Sequence, residues 1–231
     1  LMSSIKVPAK CPGKKAAIVG GGPTGIAAAY FLGRAGIETT IFEREEKLGG
    51  VPRYVIPAFR ISDEAIDKDV ALMEKYGIEV KCGAPAPSVA ELKQQGYTHI
   101  LMATGAWQAG CLDIPGNVTG VIGWMKEMKQ QVKPCLDGHV VVVGAGNTAM
   151  DAARVAKRMG AASSTIVYRR TRKEMPADEH ELKLAIAEGV QLVELAAPVS
   201  QENGKLMLEK MTLGEPDASG RRAPVGTGTF F

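Results

Sequence analysis
The sequence predicts an α/β fold built from two parallel-sheet domains, and three observations carry that prediction. The first is the stretch Lys15–Gly36. There, an apolar run from Ala16 to Val19 ends in Gly20-Gly-Gly-Pro-Thr-Gly25 and passes into a small-residue helix pattern that stops between Gly33 and Gly36. The second is a repeat of that design, in which the β-branched run His139–Val143 meets Gly144-Ala-Gly-Asn-Thr-Ala149 and a helix pattern from Met150 to Met159. The third is what stands after the next strand of each unit, Glu43 in the first and Arg169-Arg170 in the second. Strand, glycine turn and helix, repeated in one chain, read as two Rossmann-like dinucleotide-binding units.

In the first unit each glycine has a mechanical reason. Gly20 permits the tight turn, Gly22 lets a pyrophosphate approach bare backbone, and Gly25 lets helix and strand pack closely. Pro23 suits a first helical turn, where no amide partner is lost. The amides at this helix start, around Thr24, and the positive end of the helix dipole together form an anion site. The strand Thr39–Phe42 delivers Glu43 at the offset of roughly 20 residues where an acid accepts hydrogen bonds from a ribose hydroxyl. An acid at that place disfavours a 2′-phosphate, so the expected first nucleotide is FAD or NAD.

After Glu43, the charged turn Arg44–Val51 runs into the pair Gly49-Gly50. Adjacent glycines let backbone lie against a flat or phosphorylated ligand, or else make a plain flexible turn. Residues 51–60 hold two prolines and no hydrophobic period, which reads as an ordered extended loop. Arg60, at its end, either reaches a phosphate or pairs with nearby acids. Ser62 is a credible N-cap for a helix that keeps Ile66, Val70 and Met73 in step up to Gly77, with Asp63 and Glu64 in the first turn. Ile78–Lys81 is a short strand, and Ser88 caps a short helix from Val89 to Gln95. Tyr97–Gly105 reads as a buried strand that breaks on the small-residue turn Ala103-Thr104-Gly105. The Gly- and Pro-rich stretch Trp107–Gly123 is the domain crossover, giving domains at residues 14–107 and 108–231.

The second unit opens with a helix from Trp124 to Val132, whose Met125 and Met128 read as core. His139–Val143 is expected to be a buried strand, and Ala149 in place of a third glycine holds the following helix slightly further from the sheet. Thr165–Tyr168 ends on Arg169-Arg170, with Arg172 and Lys173 just beyond. Cations here accommodate a ribose 2′-phosphate, which makes the second nucleotide NADP(H); the alternative is a solvated basic face. Asp178–Glu188 is a charged helix with Leu182, Leu184 and Ile186 turned partly inward, and Val190–Leu195 is a strand. Leu206–Leu213 alternates like a half-buried strand, and the turn Gly214–Gly220 returns through Arg221–Val225 as a hairpin.

Composition narrows the function. A formal charge of +3 and an aromatic content of 5%, with no basic run interleaved with aromatics, exclude a nucleic-acid partner. No apolar run approaches the roughly 20 residues of a membrane span, so no membrane partner is expected and the expected location is the cytoplasm. Cys11, Cys82, Cys111 and Cys135 are scattered without a CxxC pair, which argues against a metal cluster or dithiol redox site and reads as incidental thiols. His99, His139 and His180 stand alone, so no catalytic side chain is expected. The chain begins with Leu1 before Met2 and finishes on Thr229-Phe-Phe231, and both ends read as cut.

Taken together, several motifs resemble one family. They are Gly20–Gly25, Glu43 with Gly49-Gly50, Ile56-Pro-Ala-Phe-Arg60, Ala103-Thr-Gly105, Gly144–Asp151, Tyr168-Arg-Arg170, Glu174-Met-Pro-Ala177 and the hairpin Leu213–Arg222. The chain is similar to the small, NADPH-oxidising subunit of glutamate synthase, to the flavin module of dihydropyrimidine dehydrogenase and, in its hairpin, to a selenate-reductase-like subunit. The resemblance implies an NADPH domain inserted in an FAD domain. In that scheme Gly20, Gly22, Pro23, Thr24 and Gly25 hold the FAD pyrophosphate and Glu43 the adenosine ribose. Arg44, Gly49, Gly50, Val51, Arg60, Thr104 and Gly105 line the rest of the flavin site. Gly144, Ala145, Gly146, Asn147, Thr148 and Ala149 contact the NADPH diphosphate, and Arg169, Arg170 and Lys173 its 2′-phosphate. The implied chemistry is hydride transfer from NADPH to FAD and electron transfer to an iron-sulfur-containing domain or subunit, work that belongs to the cofactors. A non-catalytic NADP(H)-binding regulatory domain is the alternative. The family's cysteine-rich upstream segment and its final strand and Gly-Asp flavin turn have no counterpart here, so the FAD domain is expected to be C-terminally incomplete.

Overall fold
The computed structural model describes residues 6–231 except 109, 111, 132, 217 and 219. Cys111, the expected helix end at Val132, the terminal Leu1 and Met2, and Asp217 and Ser219 of the hairpin turn therefore lie outside the described residues. The chain divides into two compact units, one running to Trp107 and one from Gln108.

The first unit is a four-stranded parallel sheet in the order β3-β2-β1-β4. Its strands are β1 (Lys15–Val19), β2 (Glu38–Phe42), β3 (Glu79–Lys81) and β4 (His99–Met102), and its helices are α1 (Pro23–Arg34), α2 (Gly50–Tyr54), α3 (Asp63–Glu74) and α4 (Val89–Gln94). The two central strands are apolar on both faces because helices cover both. Ile18 and Ile41 pack with Ala29, Leu48 and Met73 on one side, while Ala17 and Phe42 meet Leu92 and Tyr97 on the other. Helix starts follow the expected chemistry: Ser62 Oγ accepts from the Ala65 amide, and Ser88 forms a reciprocal capping box with Glu91.

Two expectations are corrected in this unit. Residues 50–54 form α2 rather than extended loop. Pro52 falls in the first turn of α2, where its missing N–H costs nothing, so the proline did not signal loop. The second correction is β4, which is not buried. It is an edge strand whose Leu101 and Met102 are 40% and 59% exposed.

The second unit contains α5 (Val121–Gln130), β5 (His139–Val143), α6 (Asn147–Arg158), β6 (Ser163–Tyr168), α7 (Glu179–Ala187), β7 (Gln191–Glu194), β8 (Ala196–Glu202), β9 (Lys205–Pro216) and β10 (Arg222–Phe230). β5, β6 and β7 make a parallel sheet in that order, and β8, β9 and β10 an antiparallel one. Met150 and Ala153 of α6, Ile166 and Tyr168 of β6, and Leu182 and Ala185 of α7 close the core. Val167 of β6 packs with Ala196 and Leu208, which ties the meander to the parallel sheet.

The hairpin forms as expected and is longer, running to Phe230 on its second arm. β8 was not foreseen. It follows β7 after Leu195, which adopts φ 54° and so turns the chain out of the parallel sheet within one residue. β5 lies at a sheet edge with Val141 and Val143 each 43% exposed, which corrects the expected buried strand. Ile186 is 45% exposed rather than turned inward, because Leu182 and Ala185 occupy the core face of α7. α5 begins at Val121, three residues before Trp124.

Candidate functional site
The two glycine turns are built alike. Gly20 leaves β1 at φ +109° and its amide donates to Phe42 O at 2.8 Å; Gly144 leaves β5 at φ +123° and its amide donates to Val167 O at 3.0 Å. Each bond carries the turn across to the end of the neighbouring strand. Gly22 and Gly146 then start α1 and α6, and neither helix start has a side-chain cap. Helix starts at Ser62, Ser88 and Asp178, by contrast, are closed by their own side chains. An uncapped first turn on a full-length helix keeps its amides available to an anion.

Around the first turn, the close packing explains the residue choices. A β-carbon on Gly25 would approach Gly20 O to less than 3.0 Å, and one on Gly20 would strike Ala103 O and lie 3.2 Å from Thr104 Cα. Thr104 and Gly105 are thereby brought beside the turn, and Gly105 adopts φ +70°. The paired glycines also reach it: Gly49 N donates to Gly21 O at 2.7 Å. Gly50, at φ +56°, would put a β-carbon 2.8 Å from Gly22 Cα. Two bare backbones thus face each other at the carboxyl ends of parallel strands, beside the point where the strand order reverses between β2 and β4.

Glu43 sits in this wall with only 7% exposure. Its Oε2 accepts from Gly21 N at 2.6 Å and its Oε1 from Glu45 N at 2.9 Å. Charge-assisted bonds of this kind hold a carboxylate in place, and the remaining lone pairs stay available to hydroxyl donors. Val51 lies in α2, and α2 is fixed by Arg53, a residue the sequence reading passed over. Arg53 is 5% exposed, donates from Nε to Leu48 O, bonds Asp67 through Nη2 and pairs with Asp63 at 3.4 Å, so α2 is fastened to α3. Its only sequence signal was a cation four residues after Gly49, inside a stretch read as loop. Arg44 lies exposed with its guanidinium 5.0 Å from the Trp107 ring, and Arg60 is half-buried near the Phe59 ring.

The second turn is open where the first is tight. A β-carbon on Gly144 or Gly146 would meet nothing within 4 Å. Asn147 and Thr148 are exposed, while Ala145 and Ala149 are buried. Ala149 carries a β-carbon at the place where Gly25 has no room for one. Ala145 O accepts from Ala177 N at 3.1 Å and Asn147 Oδ1 from Asp178 N at 3.2 Å, which fixes the segment before α7 to the turn.

The basic segment after β6 is shaped by its own bonds. Thr171 and Glu174 form a capping box, which holds the Glu174 carboxyl below its ordinary range, and Tyr168 Oη donates to Glu174 O at 2.8 Å. Arg172 pairs with Glu194 at the end of β7. Arg170 is 9% exposed and donates from Nε to Arg222 O at 2.7 Å, so it links this segment to the hairpin. Arg169 and Lys173 are exposed, and among the described residues neither side chain has a hydrogen-bond or ion-pair partner.

Among the described residues no group of three or more His, Cys, Asp or Glu side chains comes together as a metal site, and no helix is long and apolar enough to cross a membrane. Burial and the nearby Glu43 and Glu46 push the Cys82 thiol up, which makes it a poor nucleophile.

Comparison with known proteins agrees with this construction. The pattern of the family described as pyridine nucleotide-disulphide oxidoreductase matches residues 14–218. The chain is 43% identical over 217 residues to "Putative oxidoreductase YgfK" of Escherichia coli (strain K12), covering 91% of this chain and 21% of that protein. It is 38% identical over 230 residues to "NADPH-Fe(3+) oxidoreductase subunit beta" of Geobacter sulfurreducens, covering 91% and 34%. With "Glutamate synthase [NADPH] small chain" of Escherichia coli (strain K12) it shares 32% over 236 residues, covering 92% and 50%. The chain thus spans between a fifth and a half of these relatives. Among solved structures, FprA from Mycobacterium tuberculosis aligns with a TM-score of 0.78 at 20% identity, covering 94% of this chain and 68% of that one. A thioredoxin reductase from Lactococcus lactis aligns with a TM-score of 0.58 at 19% identity, covering 92% and 74%. The resemblance read from the motifs is borne out, and the chain belongs to the pyridine nucleotide-disulphide oxidoreductase family, flavin-dependent oxidoreductases that bind FAD and NAD(P)H.

Proposed function
We propose that this chain is an electron-entry module: the first unit holds FAD, the second holds NADPH in preference to NADH, and electrons leave for an iron-sulfur-containing domain or subunit. One observation carries the reading. Two glycine turns of the same construction are followed by groups of opposite charge, the buried carboxylate of Glu43 in one unit and the exposed cations Arg169 and Lys173 in the other. A carboxylate accepts from ribose hydroxyls and repels a 2′-phosphate, whereas a guanidinium pairs with that phosphate.

In this reading the first-turn amides of α1 hold the FAD diphosphate, and Glu43 orients the adenosine ribose while its bonds to Gly21 and Glu45 keep it fixed. Gly50 and Gly22 admit the ligand because neither carries a side chain. In the second unit the amides of α6 hold the NADPH diphosphate, and Arg169 and Lys173 take the 2′-phosphate, supported by the largely buried Arg170. The flavin, when bound, supplies the conversion of a two-electron hydride into single electrons. Relatives named as a small chain and as a subunit beta fit a module that passes electrons on to another polypeptide.

The test is a pair of dissociation constants. Arg169→Asp combined with Lys173→Ala is expected to weaken NADPH at least tenfold while NADH binding changes less than twofold. Equal losses for both nucleotides would remove the 2′-phosphate assignment.

A further inference from the structure
The short helix that carries Gly50 reaches back and laces the turn that leads into it. Arg53 Nε of α2 donates to Leu48 O, and Tyr54 Oη accepts from Lys47 N at 2.9 Å and donates to Lys47 O at 3.1 Å. The two residues before Gly49 are therefore held by side chains that come after Gly50. Arg53 also packs along the bare face of Gly49, where a β-carbon would lie 2.8 Å from Arg53 Cβ and 3.0 Å from its Nε. Gly49 and Gly50 adopt φ of +130° and +56°. Glycine is free to take such a shape but samples many others, so the neighbours select it.

The guanidinium is fixed at its far end as well. Nη2 donates to Asp67 Oδ1, and Nη1 lies 3.4 Å from Asp63 Oδ2, both acids belonging to α3. Nη1 is buried and makes no hydrogen bond among the described residues, so the Asp63 carboxylate is its electrostatic partner. With Arg53 only 5% exposed and two acids at its tip, its charge is balanced within the protein rather than presented to a ligand. What Arg53 transmits is position. α3, whose Ile66 and Met73 are buried, holds the guanidinium, and the guanidinium holds Leu48 O and Gly49. Gly49 N, bonded to Gly21 O at 2.7 Å, in turn brings Gly50 against Gly22.

Resting on the assignment of FAD to the first unit, we infer that Arg53 is a positioning residue for the flavin nucleotide: it sets the spacing between the bare backbones of Gly22 and Gly50. The wall against which the nucleotide lies is thereby formed before the ligand arrives, and less ordering remains to be done on binding. Two other roles make different predictions. A cation that met the phosphates itself would attract them more strongly once its acids were removed. A residue that only stabilised the unit would leave the affinity of the folded chain unchanged.

Titration of the flavin-free full chain with FAD, followed by flavin fluorescence well below the melting temperature, separates these roles. Asp67 is exposed, and Asp67→Ala is expected to weaken FAD about threefold, because the guanidinium loses an orienting partner. Arg53→Met is expected to weaken it about tenfold and to shift the visible band of the bound flavin towards that of free flavin. Arg53→Lys should recover part of both changes. Melting curves recorded beside each titration show which variants are folded; if Arg53→Met is not, Asp67→Ala and Arg53→Lys decide the matter. Tighter FAD binding by Asp67→Ala would make Arg53 a phosphate-binding cation and overturn the inference. Lowered melting temperatures with FAD affinity and flavin spectrum unchanged would make Arg53 structural only and overturn it too, with the FAD assignment intact. A native chain that takes up no FAD would instead remove the reading of the first unit, and the inference with it.

Discussion

At the scale of single residues, the two glycine turns make opposite predictions for one methyl group. At Gly25 a β-carbon meets the carbonyl of Gly20, which is backbone and cannot move aside, so Gly25→Ala is expected to cost about 3 kcal/mol of stability. At Gly146, with an ordinary φ of −86°, the same change meets open space, so Gly146→Ala should leave the melting temperature within a degree or two while weakening NADPH. Thermal denaturation beside nucleotide titration checks both halves, and a large stability loss at Gly146 would contradict the open turn. Glu43→Gln probes the acid. Glutamine offers one acceptor where Glu43 serves two amides, so about 1–2 kcal/mol is expected to be lost, with flavin uptake falling further than that loss explains. Unchanged flavin affinity in this variant would remove Glu43 from the ribose. The placement of Glu43 was legible because strand length and spacing alone fix where a residue leaves a sheet. The partners of Arg53 and Arg170 were not, because they come from elements distant in sequence whose approach depends on tertiary packing.

At the scale of elements, α6 and α7 are joined by charge. Arg154, 6% exposed, and Arg158 both bond Glu188, whose carboxyl is held down at about 2, chiefly by the hydrogen bond from Arg158 and then by Arg154, against the opposing effect of burial. A folded-state value below the unfolded one means the contribution is complete above pH about 4.5 and is lost as pH falls through about 2. Because the pair is partly solvated, it is expected to stabilise by about 1 kcal/mol. Melting curves of the native chain and Glu188→Gln should therefore differ at pH 6 and converge towards pH 2; a constant difference across that range would refute the assignment. Helices with side-chain caps, such as those begun by Ser62 and Ser88, were legible because the cap is local. α2 was missed because its proline lies in the one turn that tolerates it, and β8 because a single positive-φ leucine, rather than glycine, separates it from β7. The apolar runs of β4 and β5 were read as buried, yet both are edge strands, and periodicity does not distinguish a central strand from an edge.

At the scale of the whole molecule, the design is one unit used twice and then differentiated. Both copies bond the first glycine of the turn to the end of the next strand and start an uncapped helix. They differ in how tightly the turn is packed and in which charge follows. The repeat was visible in the sequence because each copy is a contiguous stretch of about 30 residues. The link from β6 to the hairpin was not, because it joins residues some fifty positions apart. On the proposed function the two crevices take different coenzymes, and electrons pass from the nicotinamide to the flavin. Its most direct test is the visible absorption spectrum of the chain loaded with FAD, freed of unbound flavin, and followed anaerobically on addition of NADPH or NADH. The expected result is retained flavin absorption that NADPH bleaches more readily than NADH. A protein that keeps its flavin yet is bleached by dithionite and by neither nucleotide, or that is bleached equally by both, would contradict it.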